Sequence, residues 1–201
     1  MRQFILLTLL TALSCGSAVS QLTLKKLTRA ELPRDCEFQG EYLDSYTWKD
    51  SLGLNYLVRS QEYATTKSPN GETLNSGYVY IYHYYLRKTG DYFLRLGVID
   101  FEKNCRHNMN VAHIENAVSL TDIDKDGYGE VTTMYIIDCQ RREGSMVMKL
   151  MFMEDGRKFA LRGISKKGES GGDYEPTEDF YRYPEFLKFC EKFWHDHARL
   201  H

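Results

Sequence analysis

Hydrophobic and polar residues alternate along most of this chain with the two-residue period of β-strands. The stretches Glu41–Trp48 and Leu54–Tyr63 read as strands bounded by Asp50-Ser51 and by Ser68-Pro69-Asn70-Gly71. The second boundary favours a tight turn, because Asn and Gly tolerate positive φ. Gly77–Leu86 alternates most clearly: Tyr78, Tyr80, Tyr82 and Tyr84 share one face, and Val79, Ile81, His83 and Tyr85 share the other. Lys88-Thr89-Gly90-Asp91 turns the chain back into Tyr92–Phe101. Val111–Leu120 and Val131–Asp138 are two further strands, and Val147–Glu154 with Lys158–Gly163 forms a hairpin about Asp155-Gly156. The period changes only near the C-terminus. Pro184 suits a first helical position, and Phe186, Leu187, Cys190, Phe193, Trp194 and His197 recur at helical spacing. An apolar helical stripe at the end of a sheet protein covers a sheet face. The expected class is α+β: a mostly antiparallel sheet with a C-terminal packing helix. Gln21–Gly40 has no period and reads as a loose polar lead-in.

The first twenty residues stand apart. Met1-Arg2-Gln3 is positive, Phe4 to Leu13 is almost unbroken apolar sequence, and Ala18-Val19-Ser20 is small. That order is a secretory signal peptide, with an apolar run too short to span a bilayer. The expectation is a signal over residues 1–20, a mature chain from Gln21 and one domain over 21–201. Cys15 offers the alternative of a lipoprotein acylated on that residue. The protein is accordingly expected in the periplasm or at the cell surface, with no transmembrane segment. A formal net charge of -2 without any basic block argues against nucleic-acid binding. Fifteen tyrosines and four prolines suit a sheet-rich globule. Outside the signal stand Cys36, Cys105, Cys139 and Cys190, enough for up to two disulfides in three pairings, unless Cys190 on its apolar helix face is only a buried thiol.

The sharpest chemistry is the run Asp122-Ile123-Asp124-Lys125-Asp126-Gly127-Tyr128-Gly129-Glu130. Calcium takes roughly six to eight oxygen ligands, and alternate aspartates in a tight loop can turn inward together. The expected ligands are Asp122, Asp124, Asp126, the carbonyl of Tyr128, and Glu130, with Gly127 making the sharp turn and Ile123 pointing to the core. It is no EF-hand, since Thr133 stands where that loop needs a bidentate Glu and the flanks are strands. It resembles the calcium loops of FG-GAP-type β-hairpin modules, which carry Asp where this chain has Glu130. A solvated acidic turn is the alternative.

Other patterns carry less. Gly168-Glu169-Ser170-Gly171-Gly172 matches a nucleophile elbow but lacks the strand-to-helix context, and His113 lies too close to it for a protease of two barrels. His195 and His197 point to different helix faces, and His201 is terminal, so they form no zinc site. The four aligned tyrosines are either sheet core or an aromatic platform for sugars.

One resemblance adds to this. The segment Ile114–Gly127 with Glu130-Val131, then Met148-Lys149-Leu150-Met151, Gly156–Gly163 and the helix from Pro184 to Trp194, resembles exported bacterial proteins called surface polysaccharide biosynthesis proteins, of the Bacteroidetes type. The likeness spans about the last hundred residues closely. It implies a part in making or displaying surface polysaccharide, without catalytic residues to carry over, and it implies a Cys105–Cys139 pairing. Gly129 departs from the family's frequent Ala, a change expected to matter little. The resulting expectation is a non-enzymatic cell-envelope protein with a structural calcium loop. Its rivals are a carbohydrate-binding module using the tyrosines and an enzyme of glycan assembly or trimming, for which no carboxylate pair is evident.

Overall fold

The computed structural model describes residues 22–140, 144–166, 168 and 171–199. The signal segment, Cys15, Ser170 and His201 lie outside the described residues.

Ten strands form two antiparallel five-stranded sheets. The first holds β1 (Lys25–Leu27), β2 (Glu41–Asp50), β3 (Gly53–Lys67), β4 (Thr73–Leu86) and β5 (Tyr92–Cys105), hydrogen-bonded in chain order. The second holds β6 (Asn108–Thr121), β7 (Glu130–Gln140), β8 (Ser145–Glu154), β9 (Arg157–Lys166) and β10 (Asp173–Pro176), also in chain order. A 3-10 turn over Glu178–Arg182 leads into α1 (Pro184–His197), with Pro184 in the first turn as expected. The α+β class and the packing helix are as the sequence indicated. The strands divide into the two sheets where the chain turns between β5 and β6.

Alternation in the strands gives the molecule its layers. Tyr46, Trp48, Leu57, Val79, Ile81 and Val98 face across to Val131, Tyr135, Ile137, Met151, Met153 and Ala160, making the core between the sheets. The opposite face of the second sheet presents Met134, Ile136, Met148, Leu150, Phe152, Phe159 and Leu161 to Phe186, Cys190, Phe193 and Trp194 of α1. Phe186, Cys190 and Trp194 are completely buried there, and each large ring contributes on the order of 1.5–3 kcal/mol by leaving water. The outer face of the first sheet is also buried. Leu27, Leu32 and Cys36 of the lead-in cover Tyr56, Val58, Tyr80, Tyr82 and Tyr84. The lead-in is therefore a packed layer and not the loose segment its composition indicated.

This settles the tyrosine strand. Tyr78, Tyr80, Tyr82 and Tyr84 stack in sequence with ring centroids 6.2–6.4 Å apart. The last three are under 10% exposed, so they are core. Their hydroxyls are satisfied locally: Tyr84 donates to the Glu37 carbonyl at 2.5 Å, and Tyr82 accepts from the Gln39 N–H at 3.3 Å.

A buried ion pair ties the sheets together. Arg59 on β3, 1% exposed, donates from Nε and Nη2 to both oxygens of Asp44 at 2.7 and 2.6 Å. Its Nη1 reaches across to Thr133 Oγ1 on β7 at 2.9 Å. Burial alone would raise Asp44, but Arg59 holds its carboxyl below the usual range. Cys105 and Cys139 form a disulfide joining the end of the first sheet to the second, the pairing the resemblance implied. Cys36 and Cys190 are free thiols on opposite outer faces of the two sheets, so no second bridge connects them.

Candidate metal centre

The acidic run forms the connection between β6 and β7, with Thr121 ending one strand and Glu130 beginning the next. Its shape follows from its residue types. Lys125 and Gly127 take positive φ, +62° and +84°, which curls the backbone tightly. Aspartate side chains then cap the backbone inside the curl: Gly127 N–H donates to Asp122 Oδ1 at 3.3 Å, Asp126 N–H to Asp124 Oδ1 at 3.2 Å, and Tyr128 N–H to Asp126 Oδ1 at 2.8 Å. Ile123 packs against the core beneath α1, as an apolar residue in an acidic run should.

The loop is also held from outside. Ser51 N–H donates to the Gly127 carbonyl at 2.9 Å, and Gly129 N–H donates to Asp50 Oδ2 at 3.0 Å, the oxygen that also accepts from Trp48 Nε1 at 3.0 Å. The loop of the second sheet is thus docked on the β2–β3 turn of the first. Gly129 is not interchangeable with Ala, contrary to the sequence expectation. A Cβ there would stand 2.7 Å from Trp48 Nε1 and 2.7 Å from Leu120 Cδ1.

Two groups of carboxylates converge. Oxygens of Asp122, Asp124 and Glu130 lie within 4.8 Å of one another, and so do those of Asp124, Asp126 and Glu154. These clusters could hold a metal ion. Asp122, Asp124 and Glu130 of the expected set meet in the first group, and Asp126 meets Asp124 only in the second, beside Glu154. Tyr128 contributes to the loop through its backbone, while its ring lies 5.8 Å from the Arg95 guanidinium.

Electrostatics identifies the strained member. Glu130 is fully buried and accepts the Ile123 N–H on both oxygens at 2.9 and 3.0 Å. Burial pushes its carboxyl up to about 7, and the charges of Asp124 and Asp122 push the same way. Asp126 is raised by desolvation and by the same neighbours. Carboxylates this close repel one another, and a bound proton or cation relieves that repulsion.

Glu154, at the end of β8, is the residue the sequence reading missed. It is 4% exposed, is raised by burial, and carries an ion pair with Arg157. Its one sequence signal is its place: it continues the row Met148, Leu150, Phe152, where an apolar side chain belongs.

His113 is buried and donates from Nε2 to the Ser60 carbonyl at 3.2 Å. His197 Nδ1 donates to the Phe193 carbonyl at 2.9 Å, and among the described residues no histidine joins a metal-type cluster. No helix among these residues is long and apolar enough to cross a membrane. Comparison with models of known families, with curated proteins and with solved structures finds no match.

Proposed function

We propose that this chain is an exported, non-enzymatic cell-envelope protein whose β6–β7 loop binds a structural calcium ion, and that it takes part in surface polysaccharide biosynthesis. The observation that carries the metal half is Glu130, a carboxylate buried completely beside two others. Calcium fits better than a softer metal because the donors are all carboxylate oxygens, with no Cys or His among them. The proposed set is Asp122, Asp124, Asp126, the Tyr128 carbonyl and Glu130, and Glu154 is a candidate to complete it.

The ion's role follows from where the loop docks. By neutralising the carboxylates it would fix the curl that hands Gly127 and Gly129 to Ser51 and Asp50, and so hold one end of the sandwich closed. Export is supported by the signal-type N-terminus and by the Cys105–Cys139 disulfide, a bond that persists outside the cytosol. The polysaccharide role rests on the family resemblance of the last hundred residues. Burial of Tyr80, Tyr82 and Tyr84 removes the support for a sugar platform on that strand.

Calorimetric titration of the mature protein with calcium chloride tests the metal reading. Saturable binding of one ion with a Kd between about 1 μM and 1 mM is expected. No heat, and no change in melting temperature, up to roughly ten times the weakest of those values would overturn it.

A further inference from the structure

The two sheets do not cover one another fully. β5 is an edge of the first sheet, and the space along it is lined by its residues Val98 to Glu102 together with residues of β7, β8, β9 and β10, a groove floored by the inner face of the second sheet. Two adjoining cavities of about 600 and 340 Å³ lie in this groove and share Lys149. That is the size range of sites for small organic ligands.

Its floor is polar where the rest of the inner face is apolar. Tyr135, Lys149, Arg162 and Glu175 pair directly across β7, β8, β9 and β10, so they form one row on one face. Asp100 reaches over from β5, and its Oδ2 accepts from Lys149 Nζ at 2.6 Å and from the Tyr135 hydroxyl at 2.9 Å. Lys149 is therefore already compensated. Arg162 and Lys158 are not: neither has a carboxylate within ion-pair distance among the described residues, and both line the smaller cavity. They stand on the same face of β9, about 13 Å apart along the strand, with the small side chain of Ala160 between them. At the far end of the groove the larger cavity is lined by Asp173, Glu102 and the half-exposed ring of Phe101.

We infer that this groove binds an acidic oligosaccharide, with its carboxylates on Arg162 and Lys158 and its hydroxyls on the flanking acidic side chains. Two separated, uncompensated cations suit an extended ligand with more than one anionic group. Carboxylates beside them accept hydroxyl protons, and an exposed ring offers a face to sugar C–H groups. A polyphosphate chain has no hydroxyl hydrogens to donate to those carboxylates, so nothing offsets their repulsion, whereas the sugar hydroxyls of a uronate chain do. An added peptide strand is disfavoured as well. The pairing of β4 with β5 breaks register twice, at Arg95 and at Lys103-Asn104, and such bulges spoil an edge for strand addition. The choice of a glycan rests on the polysaccharide reading above; the position rests on the groove alone.

The test is titration of the mature protein, at fixed calcium, with a uronate-containing tetrasaccharide, its neutral counterpart and inorganic phosphate. The uronate ligand should bind, the neutral one at least tenfold more weakly, and phosphate weakest. Arg162→Gln with Lys158→Gln should cost the uronate ligand tenfold or more, whereas Lys192→Gln on the exposed face of α1 should change nothing. Both Gln variants replace exposed side chains, and an unchanged melting temperature verifies the fold. Undiminished uronate binding by the double variant overturns the inference. Binding of the neutral glycan alone overturns it too while leaving the polysaccharide reading standing. Equal binding of phosphate and uronate, or binding of neither glycan, removes the glycan from the site. Asp124→Ala with Asp126→Ala should leave uronate affinity intact, which separates the groove from the metal loop.

Discussion

Asp124→Ala combined with Asp126→Ala separates the metal reading from a merely acidic turn. Both side chains are exposed, and the backbone N–H groups they accept from, those of Asp126 and Tyr128, lie within the loop at its surface where water can replace the carboxylate, whereas Glu130 is buried. Their removal should therefore spare the fold. In the absence of calcium it should even help slightly, because Asp124 is one of the charges that raise Glu130 and Asp126. Calcium should reverse the order. An ion that binds only the folded state adds RT ln(1 + [L]/Kd). For a Kd of about 0.1–1 mM, 10 mM calcium supplies about 1.4–2.7 kcal/mol. For a chain of this length that is a rise of about 3–11 °C in melting temperature. Thermal unfolding followed by circular dichroism, with chelator and then with 10 mM calcium chloride, should show wild type gaining this increment and the double variant gaining none, so that the two curves change places. An equal rise in both proteins, or none in wild type, would refute the reasoning; magnesium at the same concentration controls for general screening.

Three further outcomes are expected. Asp44→Ala strands the Arg59 guanidinium in the core and should cost roughly 3–5 kcal/mol in urea unfolding, while replacing both partners with apolar residues should cost much less. Reducing Cys105–Cys139, which closes a loop of 34 residues, should lower stability by about 3–4 kcal/mol, measured as a shift in urea midpoint with and without reductant. Stability should also fall as pH drops from about 6.5 to about 4, because burial, with Arg95 and Arg59 nearby, pushes His83 and His113 down to about 4. In that window the unfolded chain binds more protons than the folded one, so each histidine withdraws on the order of 3 kcal/mol by pH 4. In calcium-free protein Glu130, raised to about 7, acts in the opposite direction. The histidine contribution is therefore read as the difference in pH slope between wild type and His83→Gln with His113→Gln, and parallel slopes would refute it.

Strand identities were legible because alternation is a local property. The split of Tyr78, Tyr80, Tyr82 and Tyr84 from Val79, Ile81 and His83 is visible in ten residues and is reproduced in β4. Which face is covered is not local. Both faces of β4 are buried, one by the second sheet and one by Leu27, Leu32 and Cys36, whose spacing follows no period. The ends of the long hairpins were hidden for a similar reason. Thr65–Lys67 and Thr73–Asn75 pair with each other at the surface, where no apolar alternation is required. The division into two sheets is likewise set by packing between distant strands, through contacts such as Arg59 with Thr133.

The loop shows the same boundary more sharply. Asp122, Asp124 and Asp126 announce themselves within five residues, and the approach of Asp122 and Asp124 to Glu130 needs only a turn that Gly127 permits. Glu154 lies twenty-four positions further on and enters the cluster only because β8 pairs with β7, Val131 lying opposite Met153. That register places a second buried carboxylate beside the first. If the site takes calcium, Glu154 has two uses for one side chain, since Arg157 already holds it and is itself about half exposed. Glu154→Gln should then weaken calcium binding while leaving Arg157 free to turn to solvent at little cost, so affinity would drop with almost no change in metal-free stability. Unchanged calcium affinity would assign Glu154 to Arg157 alone, leaving the expected loop residues as the whole of the site.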